Sequence, residues 1–155
     1  MSVVDEAGKS VEGENTYWHR TLGSGYRQAE KLVTLGMAQW SSSNHEAPFP
    51  KRPSHLYAEY EQHEADGDYE WEHPEYAAKL NAFLKDRRRS RYGIASHKLC
   101  GSNDGWWVTR EECEQALEAW EKAGRPDVDD LGGGPLGDTI PFLRAAAAHH
   151  GFRVW

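Results

Sequence analysis

"GSNDGWWVTREEC", residues 101–113, holds a turn signal, two tryptophans and a helix start, and its reading decides the fold. Asn103-Asp104-Gly105 supplies residues that tolerate positive φ, so it predicts a turn joining "HKLC" (97–100) to "WWV" (106–108). Thr109 and Glu112 have the spacing of a capping box, which predicts a helix from Arg110 to Ala123. Cys113, Ala116, Leu117 and Trp120 share one face of that helix, and Gly124 followed by "RP" stops it. The predicted unit is a hairpin feeding a helix. Because strand side chains alternate, one of Trp106 and Trp107 is expected to face the core and the other to face outward or to cover a neighbour. An outward indole beside Asn103 and Asp104 would suit stacking on a sugar or a base, which makes these four residues the candidate ligand-binding set. Turn and cap rules already account for the whole stretch, so a structural corner is the preferred reading.

Toward the amino terminus, apolar residues at Tyr26, Ala29, Val33, Met37 and Trp40 mark a helical stripe. Residues 1–14 are polar and without period and are expected to be a flexible arm ahead of one globular domain, 15–155. Three prolines in residues 48–53 break any helix. Ser54 is expected to cap a short helix reaching about His63, and "ADGD" (65–68) ends it. Pro74 suits a first helical position, and Tyr76, Ala77, Leu80, Phe83 and Leu84 form the apolar face of a helix predicted to reach Arg88. "YGIASHKLC" (92–100) is expected to be a strand. "DVDDLGGGPLGD" (127–138) reads as a flexible connector. Asp138 or Thr139 then caps a last helix running to about His150, and "FRVW" (152–155) alternates like a terminal strand. The expected fold is α+β and mostly helical, with four to five helices and a small β-hairpin or two- to three-stranded element.

Composition narrows the function. The chain has 155 residues, long enough to build its own core, and 18 aromatic side chains argue against wholesale disorder. A formal net charge of −7 makes non-specific attraction to nucleic acid or an anionic membrane unexpected. No run of about 20 apolar residues is present, and Met1 to Gly13 lacks the pattern of a secretory signal. Two cysteines rule out a disulfide framework, and a cytoplasmic setting fits best.

Four constellations carry possible chemistry. His97-x2-Cys100 followed by Cys113 resembles half of a zinc module, with His149 or His150 as the remaining ligand. Against it, the helix offers Ala116 and Leu117 where a further ligand is needed, and Cys113 reads equally well as a small core residue. Glu59 to Glu75 holds eight acids and no Lys or Arg, an acidic face able to dock on a basic protein partner. The spacing of Asp66, Asp68, Glu70 and Glu72 departs from the calcium-loop pattern. "KDRRRSR" (85–91) places five basic residues in seven positions, with Arg87, Arg88, Arg89 and Arg91 as anion-binding candidates. Its simpler role is to offset the dipole at a helix C-terminus. Finally, "GGGPLGDT" (132–139) mimics a phosphate-binding loop, but Asp138 stands where that loop requires Lys.

The segments "SNDGWWVTREEC" (102–113) and "AAAAHHGFRVW" (145–155) resemble parts of short uncharacterised proteins encoded by actinobacteria and their phages. The resemblance implies a cytoplasmic or phage setting and carries no activity. The expected function is therefore that of a small acidic interaction or regulatory protein without catalysis or cofactor. The alternatives are a zinc-dependent hydrolase or nuclease using His97, Cys100, Cys113 and His149, and a small-molecule binder built on Trp106 and Trp107.

Overall fold

The computed structural model describes residues 1–13, 25–41, 49–69, 71–87, 90–100, 104–128 and 139–155. The architecture is α+β, with six helices among the described residues, a three-stranded antiparallel sheet and a two-stranded parallel pair. The chain divides into two compact units, one formed by Met1–Asn44 with Arg87–Trp155, the other by His45–Asp86. This division does not follow the expected boundary at residue 14.

In the larger unit the sheet has the order β1-β5-β4, with β1 Ser2–Val3, β4 Trp106–Thr109 and β5 Gly151–Val154. Both pairings are antiparallel, and their register sets Ser2 and Trp107 opposite Arg153, and Val3 and Val108 opposite Phe152. Alternation then sends Val3, Val108, Phe152 and Val154 to one face, where all four join the hydrophobic core. Helices α5 (Arg110–Lys122) and α6 (Thr139–Ala148) pack on one another and against β5. Their buried Cys113, Ala116, Phe142, Leu143 and Ala146 close that core. The capping box expected at the start of α5 is formed: Thr109 Oγ1 accepts from Glu112 N, and the Glu112 carboxylate accepts from Thr109 N at 2.8 Å.

The amino-terminal residues are not an arm. Val3 and Val4 are fully buried, and residues 3–11 form a tight hairpin in which Val11 N donates to Val3 O and Asp5 N donates to Lys9 O. Its loop, Glu6-Ala7-Gly8, is a turn closed by Gly8 N donating to Asp5 O, with Gly8 at φ 79°. That geometry is the common three-residue hairpin connection, and "DEAGK" (5–9) carries its signature of Asp first and Gly in the left-handed position. The hairpin lies over the second face of the sheet. A Cβ on Gly8 would stand 2.8 Å from both the Trp107 ring and the Arg153 guanidinium.

Helix α1 (Gly25–Thr34) is shorter than the apolar stripe to Trp40 suggested. Gly36 N bonds back to Val33 O and Met37 N to Leu32 O, the paired bonds of a glycine-terminated helix. The chain then enters β2 (Ala38–Gln39), which pairs in parallel with β3 (Ile94–Ala95). "YGIASHKLC" is not one strand, because after β3 it turns into the short helix α4 (Ser96–Cys100). The corner at Gly105 therefore joins a helix, not a strand, to β4. In the smaller unit Ser54 does not cap a helix; it opens a 3-10 turn, Ser54–Leu56, that continues into α2 (Tyr57–Ala65). Helix α3 (Pro74–Leu84) ends short of the expected Arg88, with Lys85, the first residue of the basic run, as its C-terminal cap. Leu56, Tyr60 and Tyr76 form a small core in this unit, with Trp71 and Leu80 packed against it. The connector at 129–138, including Asp138, lies outside the described residues.

Candidate protein-interaction surface

The smaller unit, residues 45–86, carries ten acidic residues against four basic ones and so holds six of the seven net negative charges of the chain. Helix α2 presents Glu59, Glu61, Glu64 and the following Asp66 as exposed side chains, while Tyr60 on the same helix is buried. The 3.6-residue period explains the split, since Leu56 and Tyr60 lie four apart on the core face and the acids fill the rest of the circumference. Tyr57 and Tyr69 add exposed aromatic surface, at 52% and 78%.

Some of this charge is neutralised within the unit. Arg52 pairs with Glu72 at 2.9 Å and lies 3.6 Å over the Tyr60 ring, and the Tyr60 hydroxyl is hydrogen-bonded to the same carboxylate. Burial first, then this carboxylate, pushes the Tyr60 phenol up, so it stays neutral. Glu75 pairs with Lys79 one turn on, and that hydrogen bond holds the Glu75 carboxyl below its usual range. Glu61, Glu64 and Asp66 are exposed and have no ion pair among the described residues.

Two histidines and a tryptophan sit between the acids and the small core. The His63 ring stacks on Trp71 at 3.9 Å and 6°, and its Nδ1 lies 3.3 Å from Asp68 Oδ2. Trp71 meets the ring of His73 edge-on at 6.0 Å. His73 is the N-cap of α3: its Nδ1 accepts from Glu75 N, and its Nε2 faces Glu59 Oε2 at 3.8 Å. The acidic run was legible in the sequence. The histidines were visible only as neighbours of the acids, because the α2–α3 turn is what brings residues 63, 71 and 73 together.

Several residues of the other candidate sets are taken up by the fold. His97 is 1% exposed, with its Nδ1 2.9 Å from Ser41 Oγ and its ring edge-on to Trp106. Ser41 Oγ also accepts from His97 N, and Ser41 N donates to Ser96 Oγ, so this polar set ties the end of β2 to the first turn of α4. Cys100 Sγ donates to Ser96 O within its own helix. Cys113 is wholly buried on the core face of α5, where burial, more than the neighbouring carboxylates, pushes its thiol well up. Among the described residues no group of three or more His, Cys, Asp or Glu is placed to hold a metal ion, and His97, Cys100, Cys113 and His149, the ligand set of the alternative reading, are not brought together.

Neither indole of the corner is outward. Trp106 is 5% and Trp107 1% exposed. Trp107 does face away from the main core, as alternation requires, but the hairpin of residues 3–11 covers that face, and Trp107 Nε1 donates to His150 O at 2.7 Å. Arg153 lies 5.1 Å from the Trp107 ring and 5.4 Å from that of Trp155. Asp104 is exposed, and Asn103 lies outside the described residues. In the basic run, Arg87 is engaged by Glu111 at 2.7 Å and by Gln115 at 2.8 Å, and Arg91 is exposed. Arg88 and Arg89 lie outside the described residues.

Sequence reading missed one buried charge pair. Lys98 and Glu112 are both fully buried and meet at 2.8 Å, and Lys98 Nζ also donates to Trp107 O. No local pattern distinguishes Lys98 from a surface lysine. Only the meeting of α4, β4 and α5 does.

No helix among the described residues is long and apolar enough to cross a membrane. Comparison with protein-family models, curated proteins and solved structures returns no match.

Proposed function

We propose that this chain is a small interaction or regulatory protein whose unit His45–Asp86 docks on a basic protein partner. One observation carries the reading: six of seven net negative charges are concentrated in 42 residues, and the rest of the chain is nearly neutral. Such segregation creates a directed field that steers encounter with a positive surface. Exposed Tyr57 and Tyr69 supply contact area of the kind interfaces favour. The resemblance to actinobacterial and phage proteins supports a phage-related or actinobacterial setting for this role.

The test uses a labelled oligolysine peptide and fluorescence anisotropy at two salt concentrations. The triple variant Glu61→Gln/Glu64→Gln/Asp66→Asn is expected to weaken binding at least about fivefold. A control that removes three exposed acids of the larger unit, Glu6→Gln/Glu12→Gln/Glu30→Gln, is expected to change it less than about twofold. Equal losses in the two variants would mean that only overall charge matters, and the docking reading would fall.

A further inference from the structure

We propose that docking on this acidic unit is proton-gated, with His63 and His73 as the gate, so that the surface releases a basic partner as pH falls. The inference rests on the docking reading above. Unit 45–86 contains four of the eight histidines of the chain, and two of them are built into the α2–α3 corner beneath the acids.

At His63 a proton converts the 3.3 Å approach to Asp68 into an ion pair. It also places a cation against the face of Trp71, an arrangement that attracts. The Asp68 charge is then satisfied internally and no longer contributes to the outward field. At His73 the neutral ring serves two neighbours at once. One nitrogen accepts from Glu75 N while the other presents its N–H to Glu59. The additional proton can go only to Nδ1, where it meets the Glu75 N–H, donor against donor. It also puts positive charge at the amino end of α3, where the helix dipole opposes it. Charging His73 therefore cancels Glu59 and undoes the α3 cap. Both protonations subtract negative charge from the same surface.

Among the other groups at this corner, His55 also acts on Glu75, and it is present in both the wild type and the His63/His73 variant, so its contribution is common to the two. Arg52 is paired with Glu72, which also holds the Tyr60 hydroxyl, and Glu75 is held ionised by Lys79. Carboxylates, phenols, lysines and arginines in their ordinary ranges keep the same charge at pH 5.5 and 7.5, so a pH effect that is lost in the His63/His73 variant belongs to those two rings.

The experiment measures oligolysine binding at pH 7.5 and 5.5, with the wild type beside His63→Gln/His73→Asn. Asparagine is a strong neutral N-cap, so α3 keeps its start at both pH values. Thermal melts at each pH confirm that the variant is folded. The wild type is expected to bind about fivefold more weakly at pH 5.5, the effect of two added charges near the peptide, and the variant less than about twofold more weakly. In nitrogen-15 NMR spectra the Glu75 amide shift is expected to follow the His73 ring titration, and to lose that response in His73→Asn. Binding at pH 7.5 with the same pH dependence in variant and wild type would overturn the gate and leave docking standing. A flat Glu75 amide while the His73 ring titrates would overturn the cap mechanism. Absence of binding at pH 7.5 would overturn docking and the gate with it.

Discussion

Lys98 shows how much one side chain can depend on its partner. Its amine is fully buried and is held by Glu112 Oε2 and by Trp107 O, while Arg87 Nε stands 3.9 Å from the other Glu112 oxygen. Truncating one member of a buried pair strands the other charge in a medium that solvates it poorly. Lys98→Met is therefore expected to cost about 3–5 kcal/mol in chemical denaturation. Adding Glu112→Gln removes the stranded charge and keeps an acceptor for Thr109 N, so the double variant should regain much of the loss. Purely additive losses would show that the two residues act independently. Cys113 offers a second check at this scale. Burial raises its thiol well above the usual value, so at pH 8 it stays protonated and shielded. Ellman's reagent should modify it only when denaturant unfolds the chain, and a fast reaction of Cys113 in the native state would contradict its place in the core.

At the level of elements, the fate of the amino-terminal residues and of the second indole has one physical cause. The arm expected to be free and the indole expected to face outward or cover a neighbour are the two halves of one contact, the hairpin of residues 3–11 over Trp107. Gly8 is the point of closest approach, with positive φ and no room for a Cβ. Gly8→Val is therefore expected to lower stability by more than about 1 kcal/mol, and to increase quenching of tryptophan fluorescence by acrylamide as Trp107 is uncovered. Thr109→Ala removes a formed cap and should cost about 1 kcal/mol. An unchanged melt for either variant would contradict the assignment.

These elements also show what the sequence made legible. Helix α5, its capping box, the Pro74 start of α3, the strand β5 and the positive φ of Gly105 were readable because each rests on residues a few positions apart. Helix α4 was misread as strand because five residues are too few to show a period. The burial of Trp107 was hidden because it is decided by the distant residues 3–11, and that of Lys98 because it depends on how α4, β4 and α5 meet rather than on any local pattern. Of the candidate surface, the charge was legible, while the His63–Trp71–His73 arrangement required the turn between α2 and α3.

For the whole molecule, charge and core are unevenly shared. Unit His45–Asp86 carries most of the charge on a core of Leu56, Tyr60 and Tyr76, with Trp71 and Leu80 alongside. Chains near 40 residues seldom fold alone without a metal or disulfide. The isolated fragment 45–86 is therefore expected to show no cooperative melt by circular dichroism, and a sharp transition would show that this core suffices. The order β1-β5-β4 has a different consequence, for the time at which the larger unit is assembled. The middle strand is the last of the three to leave the ribosome, about 150 residues after β1. At roughly 5–20 residues per second, β1 and β4 have no common partner until on the order of ten seconds after β1 has been made. Sheet formation is therefore a late event, and a chain cut short before Gly151 lacks the strand through which the other two are joined.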